Sequence, residues 1–206
     1  MRRDRVAPGL RVRARADERD LEACVRVLAQ VHESDGYPVN WPSRPGDWLR
    51  GAATLGAWVA ELDGRVVGHV SLSRSAPDDA APGLWSERTG VGVEASAVVS
   101  RLYVAPTARG HGIGALLARR AVREARTRAL HPVLDVVSSD TAAITLYERM
   151  GWELLAVVER EWDPGQRVAL RCYAGPSATA SATGPAADAV AEAAARSASR
   201  SPRSAG

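Results

Sequence analysis

A strand that breaks at a proline and resumes as a helix through three closely spaced glycines limits, more than any other feature, what this chain can become. The stretch reads Arg101-Leu102-Tyr103-Val104-Ala105-Pro106-Thr107-Ala108-Arg109-Gly110-His111-Gly112-Ile113-Gly114. Val98 to Val104 has the pattern of a strand, and Pro106 ends it. Gly112 to about Arg128 reads as a helix with Ile113, Leu116, Leu117, Ala121 and Ala125 apolar. Glycines allow close backbone approach to a ligand. The first helical turn leaves N–H groups unpaired, and the macrodipole adds partial positive charge. Such a turn suits a phosphate or pyrophosphate. A Walker A loop is excluded because Gly-Lys-Ser/Thr is missing, and the order G-x-G-x-G differs from the dinucleotide G-x-G-x-x-G. The bland alternative is a glycine-rich connection that holds no ligand.

The surroundings predict a mixed α/β arrangement. Leu10 to Arg15 alternates as a first strand, and Asp17 caps a helix over 18 to 32 with Leu21, Cys24, Val25, Leu28 and Val31 apolar. Residues 33 to 50 read as a loop with aromatic content, holding Tyr37, Trp41 and Trp48 among prolines and glycines. Ala57 to Glu61 and Val66 to Ser73 form a hairpin across Asp63-Gly64. Residues 74 to 92 read as a long mobile loop. Val133 to Val137 is a short buried strand, Asp140 to Met150 a helix stopped by Gly151, and Trp152 to Arg160 with Arg167 to Tyr173 a final hairpin. The order β-α-loop-β-β-β-α-β-α-β-β has too few βα alternations for a doubly wound fold. From residue 175 onward, Ala, Ser, Gly and Pro dominate and predict a disordered tail, leaving 1–174 as the folded domain.

Composition narrows the function classes. With 206 residues, 46% of them hydrophobic, one sizeable core is expected and a second full domain is not. The net charge of +3 has no clustered basic face to favour nucleic acid. No apolar run approaches the roughly 18 residues of a membrane span, and none follows the basic Met1 to Arg5 as in a secretory signal. Two cysteines, Cys24 and Cys172, are too few for a disulfide framework and read as buried thiols. These features point to the cytoplasm. No metal site is expected.

The stretch Val104-x-Pro106-x-x-Arg109-Gly110-x-Gly112-Ile113-Gly114 resembles the acyl-CoA signature of the GNAT N-acetyltransferases. Asp140-x-x-Ala143-x-x-x-Tyr147-Glu148-x-x-Gly151-Trp152 resembles that family's second motif, one helix and one strand further on. The resemblance spans roughly residues 10 to 173. It implies a mostly antiparallel central sheet of six to seven strands, flanked by helices and splayed between the fourth and fifth strands. Acetyl-CoA would lie in that gap, its pantetheine arm on Leu102, Tyr103 and Val104. Backbone amides from Arg109 through Gly110, His111, Gly112 and Ile113 to Gly114 would hold the pyrophosphate. Asp140, Ala143 and Tyr147 would complete the binding set, with Tyr147 close to the CoA sulfur.

Acyl transfer to an amine needs a neutral amine, a stabilised oxyanion and a protonated leaving thiolate. The Val104 N–H is a candidate oxyanion donor. Tyr147 is the candidate general acid, and its other reading is plain core packing. A phenol near 10 donating to a thiolate near 8.5 is uphill by roughly 2 kcal/mol, so its contribution is modest. Many family members carry a glutamate eleven residues before the motif arginine; here that position is Val98. Glu94 is the candidate base on position, with Glu33, Asp35 and His69 as alternatives and surface solvation as the bland reading for each. Where the family has asparagine, Asp140 either meets CoA or only caps its helix. His111 sits at a variable motif position, and Arg119, Arg120, Arg123, Arg126 and Arg128 form a basic helix surface, one of which is a candidate for the CoA 3′-phosphate. The partners implied are acetyl-CoA and an amine acceptor, with no nucleic acid or membrane. Family members often dimerise, and the sequence neither shows nor excludes a homodimer. Two further readings stand: a non-catalytic acyl-CoA sensor, and nucleic-acid binding through the arginines. Tyr37, Trp41, Trp48 and Trp85 suggest an aromatic-compatible acceptor pocket.

Overall fold

The computed structural model describes residues 9–76 and 79–176. Seven strands form one sheet in the order β1-β2-β3-β4-β5-β7-β6. They are β1 (Leu10–Ala14), β2 (Thr54–Leu62), β3 (Arg65–Arg74), β4 (Ser96–Val104), β5 (His131–Val137), β6 (Glu153–Asp163) and β7 (Gln166–Ala174). Only β4 and β5 pair in parallel; every other neighbouring pair is antiparallel. Among the described residues five α-helices accompany them: α1 (Glu18–Asp35), α2 (Pro45–Arg50), α3 (Ala80–Thr89), α4 (Ile113–Thr127) and α5 (Thr141–Arg149).

Local sequence explains most boundaries. The Asp17 carboxylate accepts the Asp20 amide at 3.1 Å and starts α1, while Gly36, in the left-handed region, ends it. The helix buries Leu21, Cys24, Leu28 and Val31, the stripe expected from their spacing, and runs one turn further than its sequence predicts. Asp63 and Gly64 both adopt positive φ, as a two-residue hairpin turn requires. The main core joins α1, β2, β3 and α4 around Leu28, Val59, Leu72, Leu117 and Tyr173. Both cysteines are free and buried, and burial pushes their thiols up to about 11 for Cys24 and about 12 for Cys172.

Two expectations are corrected. Residues 74 to 92 are not simply a long loop, because α3 occupies Ala80 to Thr89. It seats Ala81 and Trp85 on Val98, Val133 and Cys172 in a second small core. The Asp135 carboxylate on β5 accepts the first two helical amides, Ala80 at 3.2 Å and Ala81 at 3.0 Å. The cap therefore comes from 55 positions away in sequence, and no adjacent side chain supplies one. Residues 33 to 50 likewise include the short helix α2, which has proline at its start and buries Leu49. The tail expected over 175–206 falls, from residue 177 onward, outside the described residues.

Candidate active site

The β4–β5 ladder is short. Ser96, Ala97 and Val98 pair with His131, Pro132 and Val133, and there the pairing stops. Leu134 to Val137 continue against β7, whereas Val99 to Val104 remain on β3. The sheet thus opens between its fourth and fifth strands in the place the motif predicts. A cleft of about 1240 Å³ fills the opening.

The pattern on β4 decides which main-chain groups face this gap. The Ala105 amide donates to Val67 O at 2.8 Å on the β3 side. Antiparallel alternation then turns the Val104 N–H the other way, into the cleft. Upstream, Arg101 and Leu102 of β4 together oppose Val70 alone of β3 between the His69–Tyr103 and Ser71–Ser100 pairs. This bulge places Arg101 at φ +52, a left-handed conformation that costs a non-glycine residue on the order of 1 kcal/mol. The Arg101 carbonyl accepts from His69 Nδ1 at 3.0 Å.

Beyond β4 the chain turns through Pro106–Ala108 and reaches the glycines. Gly110 and Gly112 have φ +82 and +71, which any side chain adopts only under strain. The Leu116 amide makes the first bond of α4, to Gly112 O at 3.1 Å. Among the described residues the amides from Gly110 to Ala115 have no backbone acceptor. A row of unpaired N–H groups at the positive end of a helix matches the needs of a diphosphate. His111 is exposed, and its Nδ1 lies 3.3 Å from Ala108 O.

The second motif completes the wall. Asp140 caps α5, its Oδ1 accepting the Ala143 amide at 2.9 Å, and both residues line the cleft. Capping and cleft-lining therefore coexist in Asp140. Tyr147 also lines the cleft, edge-on to Trp152 with ring centroids 5.5 Å apart. Burial raises its hydroxyl above the usual phenol range, and that hydroxyl has no hydrogen-bond partner among the described residues. Core packing and cleft access are both present in this one side chain.

Leu102, Tyr103, Val104, Arg109, Gly110, Gly112, Ile113 and Gly114 all line the same cleft. The Tyr103 ring itself is core, and its hydroxyl donates to Cys24 O at 3.0 Å, so only its main chain serves the gap. The candidate bases fare differently. Glu94 sits on the turn Val93–Ala95 before β4, and neither it nor Glu33 belongs to the cleft wall. His69 is fully buried, and burial pushes it down to about 3. Its Nδ1–H is committed to Arg101 O, and its Nε2 faces Arg15 Nη1 at 3.2 Å. Asp35 does reach the cleft, in an ion pair with Arg109 that lowers its proton affinity. In the basic surface of α4, Arg120 and Arg128 are tied to Glu124, and Arg120 also covers the Trp58 ring.

Several wall residues had no signal in the sequence. Arg160, Glu161 and Trp162 enter from the end of β6, Asp79 from the start of α3 and Asp135 from β5. Only the fold brings these segments to one place. Asn40 in the α1–α2 loop and Gln166 on β7 exchange side-chain hydrogen bonds at 3.2 and 3.4 Å.

A family model described as the acetyltransferase (GNAT) family matches residues 26–152. Among solved structures, the chain is similar to the ribosomal-protein-alanine N-acetyltransferase of Brucella melitensis, at 25% identity, TM-score 0.59, covering 81% of this chain and 99% of that one. It also shares its fold with Arabidopsis thaliana NAA60 in complex with acetyl-CoA (20% identity, TM-score 0.59, 80% and 98% covered). The Escherichia coli ribosomal-protein-S18-alanine N-acetyltransferase has the same fold (18% identity, TM-score 0.58, 81% and 93% covered). No curated protein matches the chain.

Proposed function

The chain belongs to the GNAT acetyltransferase family, and we propose that it transfers an acetyl group from acetyl-CoA to a primary amine of a small molecule or protein by direct attack in a ternary complex. One observation carries this reading. The gap beyond Val98 and Val133 runs without interruption into the unpaired amides of Gly110 to Ala115, with Tyr147 on the same wall. A thioester carrier with an extended amide-bearing arm and a diphosphate has the chemistry to match that wall.

In this reading, main-chain groups of Leu102 to Val104 hold the arm and the glycine turn holds the diphosphate. Acetyl-CoA supplies the thioester; its carbonyl carbon gains a bond to the acceptor nitrogen and loses its bond to sulfur. The Val104 N–H faces the carbonyl oxygen as that oxygen gathers charge. The Tyr147 hydroxyl gives its proton to the leaving sulfur and regains one from solvent. Because burial raises this phenol, the transfer is more uphill than free phenol and thiol would make it, and Tyr147 contributes modestly. The amine proton leaves to water, since the ion pair with Arg109 lowers the proton affinity of Asp35 and His69 is enclosed.

The test is thiol release from acetyl-CoA across amines, antibiotics and peptide N-termini, with products weighed by mass spectrometry. Acetylated product supports the proposal. Tight binding of acetyl-CoA with no turnover of any amine overturns it in favour of an acyl-CoA sensor. That second reading draws on the valine that occupies position 98.

A further inference from the structure

The cleft holds one cation whose situation neither the glycine turn nor the acid chemistry explains. Arg101 lies at the β4 bulge, on the far side of Leu102 to Val104 from the diphosphate turn. Its guanidinium carbon stands 4.8 Å from the centroid of the Trp48 ring. Among the described residues its one side-chain hydrogen bond is a long one, from Nη1 to Ser100 Oγ at 3.3 Å. Among the described residues the buried Nε atom has no partner and neither has Nη2. No carboxylate among them lies within ion-pair distance of Arg101, although Asp79 at the start of α3 acts on it electrostatically.

The contrast with other arginines is instructive. Arg13 and Arg109 each grip a carboxylate, as partly buried guanidiniums generally do. Arg101 instead combines a left-handed backbone, a partly desolvated charge and an orphaned nitrogen. Each is unfavourable alone, and their coincidence in a cleft wall points to a ligand that compensates for them. A guanidinium backed by an aromatic face presents a flat fork suited to an oxyanion.

We propose that Arg101 receives the oxyanion of the acceptor, which is a small amine that carries a carboxylate or phosphonate on an aromatic-compatible frame. This rests on the acetyl-transfer reading for the identity of the acceptor. Tyr37 and Trp48 flank the position, their ring centroids 6.4 Å apart. The Asn40–Gln166 bridge ties the α1–α2 loop to the β6–β7 hairpin across segments that both line the cleft. A tied rim favours a compact acceptor over a threaded polypeptide.

The experiment measures binding in saturating CoA, by calorimetry on the full chain. The probes are phenylalanine, its carboxamide and its aminophosphonate analogue. The acid or the phosphonate binds at least about tenfold more tightly than the amide, and which of the two leads identifies the oxyanion. Arg101→Met removes that preference while acetyl-CoA affinity stays within about twofold, and Arg101→Lys keeps part of it. Should Arg101→Met fail to fold, Arg101→Lys carries the comparison, because losing the fork while keeping the charge still reduces the preference. Acid and phosphonate both binding the natural protein no more tightly than the amide, binding of none of the three probes, or an undiminished preference in a folded variant overturns the proposal. Thiol release with amides but not acids would sink the role of Arg101 and leave acetyl transfer standing. Absence of thiol release with every amine would do the reverse, since the acid–amide difference is read from binding alone.

Discussion

The Arg109 guanidinium at the mouth of the glycine turn is ion-paired with Asp35 on the last turn of α1. It holds both carboxylate oxygens and also approaches Val104 O at 3.4 Å. One arginine thus joins the helix end, the strand end and the turn. Both partners are partly exposed, so the pair adds little to stability, about 0–1 kcal/mol. Asp35→Asn should leave the melting temperature nearly unchanged. By removing a negative charge beside the turn, it should tighten CoA binding by about two- to threefold, less at high salt. Calorimetry at two ionic strengths checks this.

Tyr147→Phe should lower kcat by about tenfold to a hundredfold and leave KM for acetyl-CoA nearly unchanged. The pH profile should carry no alkaline loss up to pH 10, because burial raises the Tyr147 phenol above its ordinary 10.0 and keeps it protonated there. Activity should instead rise with pH as each acceptor amine loses its own proton. A rise whose midpoint is the same for acceptors of different basicity would contradict this.

Gly112→Ala should weaken CoA binding at least about tenfold. A built Cβ at Gly112 meets nothing within 4 Å, so no clash occurs. The cost is the φ of +71, about 1–2 kcal/mol for an L side chain, and relaxation would turn the amides of the cradle. Binding measured beside melting separates the two effects.

Asp135→Ala should release α3 from β5. Losing the acceptor of two helical amides should cost about 1–2 kcal/mol, and hydrogen exchange should speed up across residues 79–89 before it does in the main core.

Acid should destabilise the fold through Arg13. This guanidinium binds Asp20 at 2.6 and 2.8 Å and Glu61 at 2.9 Å, with both carboxylates buried. Its hydrogen bonds hold Asp20 down to about 2 and Glu61 below its usual 4.5. Both folded values are depressed, so the stabilisation is present above the unfolded values and is lost as pH falls through the folded ones. Denaturant midpoints should therefore hold steady above roughly pH 5 and drop towards pH 2. Asp20→Asn should cost about 2–3 kcal/mol at neutral pH and shallow that drop.

How far these features could be read in advance depends on where their causes lie. The α1 stripe, the Asp63-Gly64 turn, the glycine turn before α4 and the Asp140 cap are written in adjacent residues, and each forms where its pattern indicates. Helix α3 was hidden because its cap, Asp135, lies in a distant strand, while Pro82 and Gly83 inside it read as loop residues. His69 looked like a free titratable side chain. Only the fold reveals that the β4 bulge exposes a carbonyl for its Nδ1 to satisfy. Arg101 stood inside the motif without a role for the same reason, since a bulge depends on the register of two strands.

The early end of the β4–β5 ladder has an evolutionary consequence. Where two strands part, recognition is written in amides and carbonyls, which every residue type but proline supplies alike. Some side chains along Val99 to Val104 then serve the interior, as the Tyr103 ring does against Cys24, while Arg101 stands in the cleft wall. Main chain and packing side chain then do separate work at Tyr103, so a substitution there that keeps the core filled leaves the amides along the gap in place.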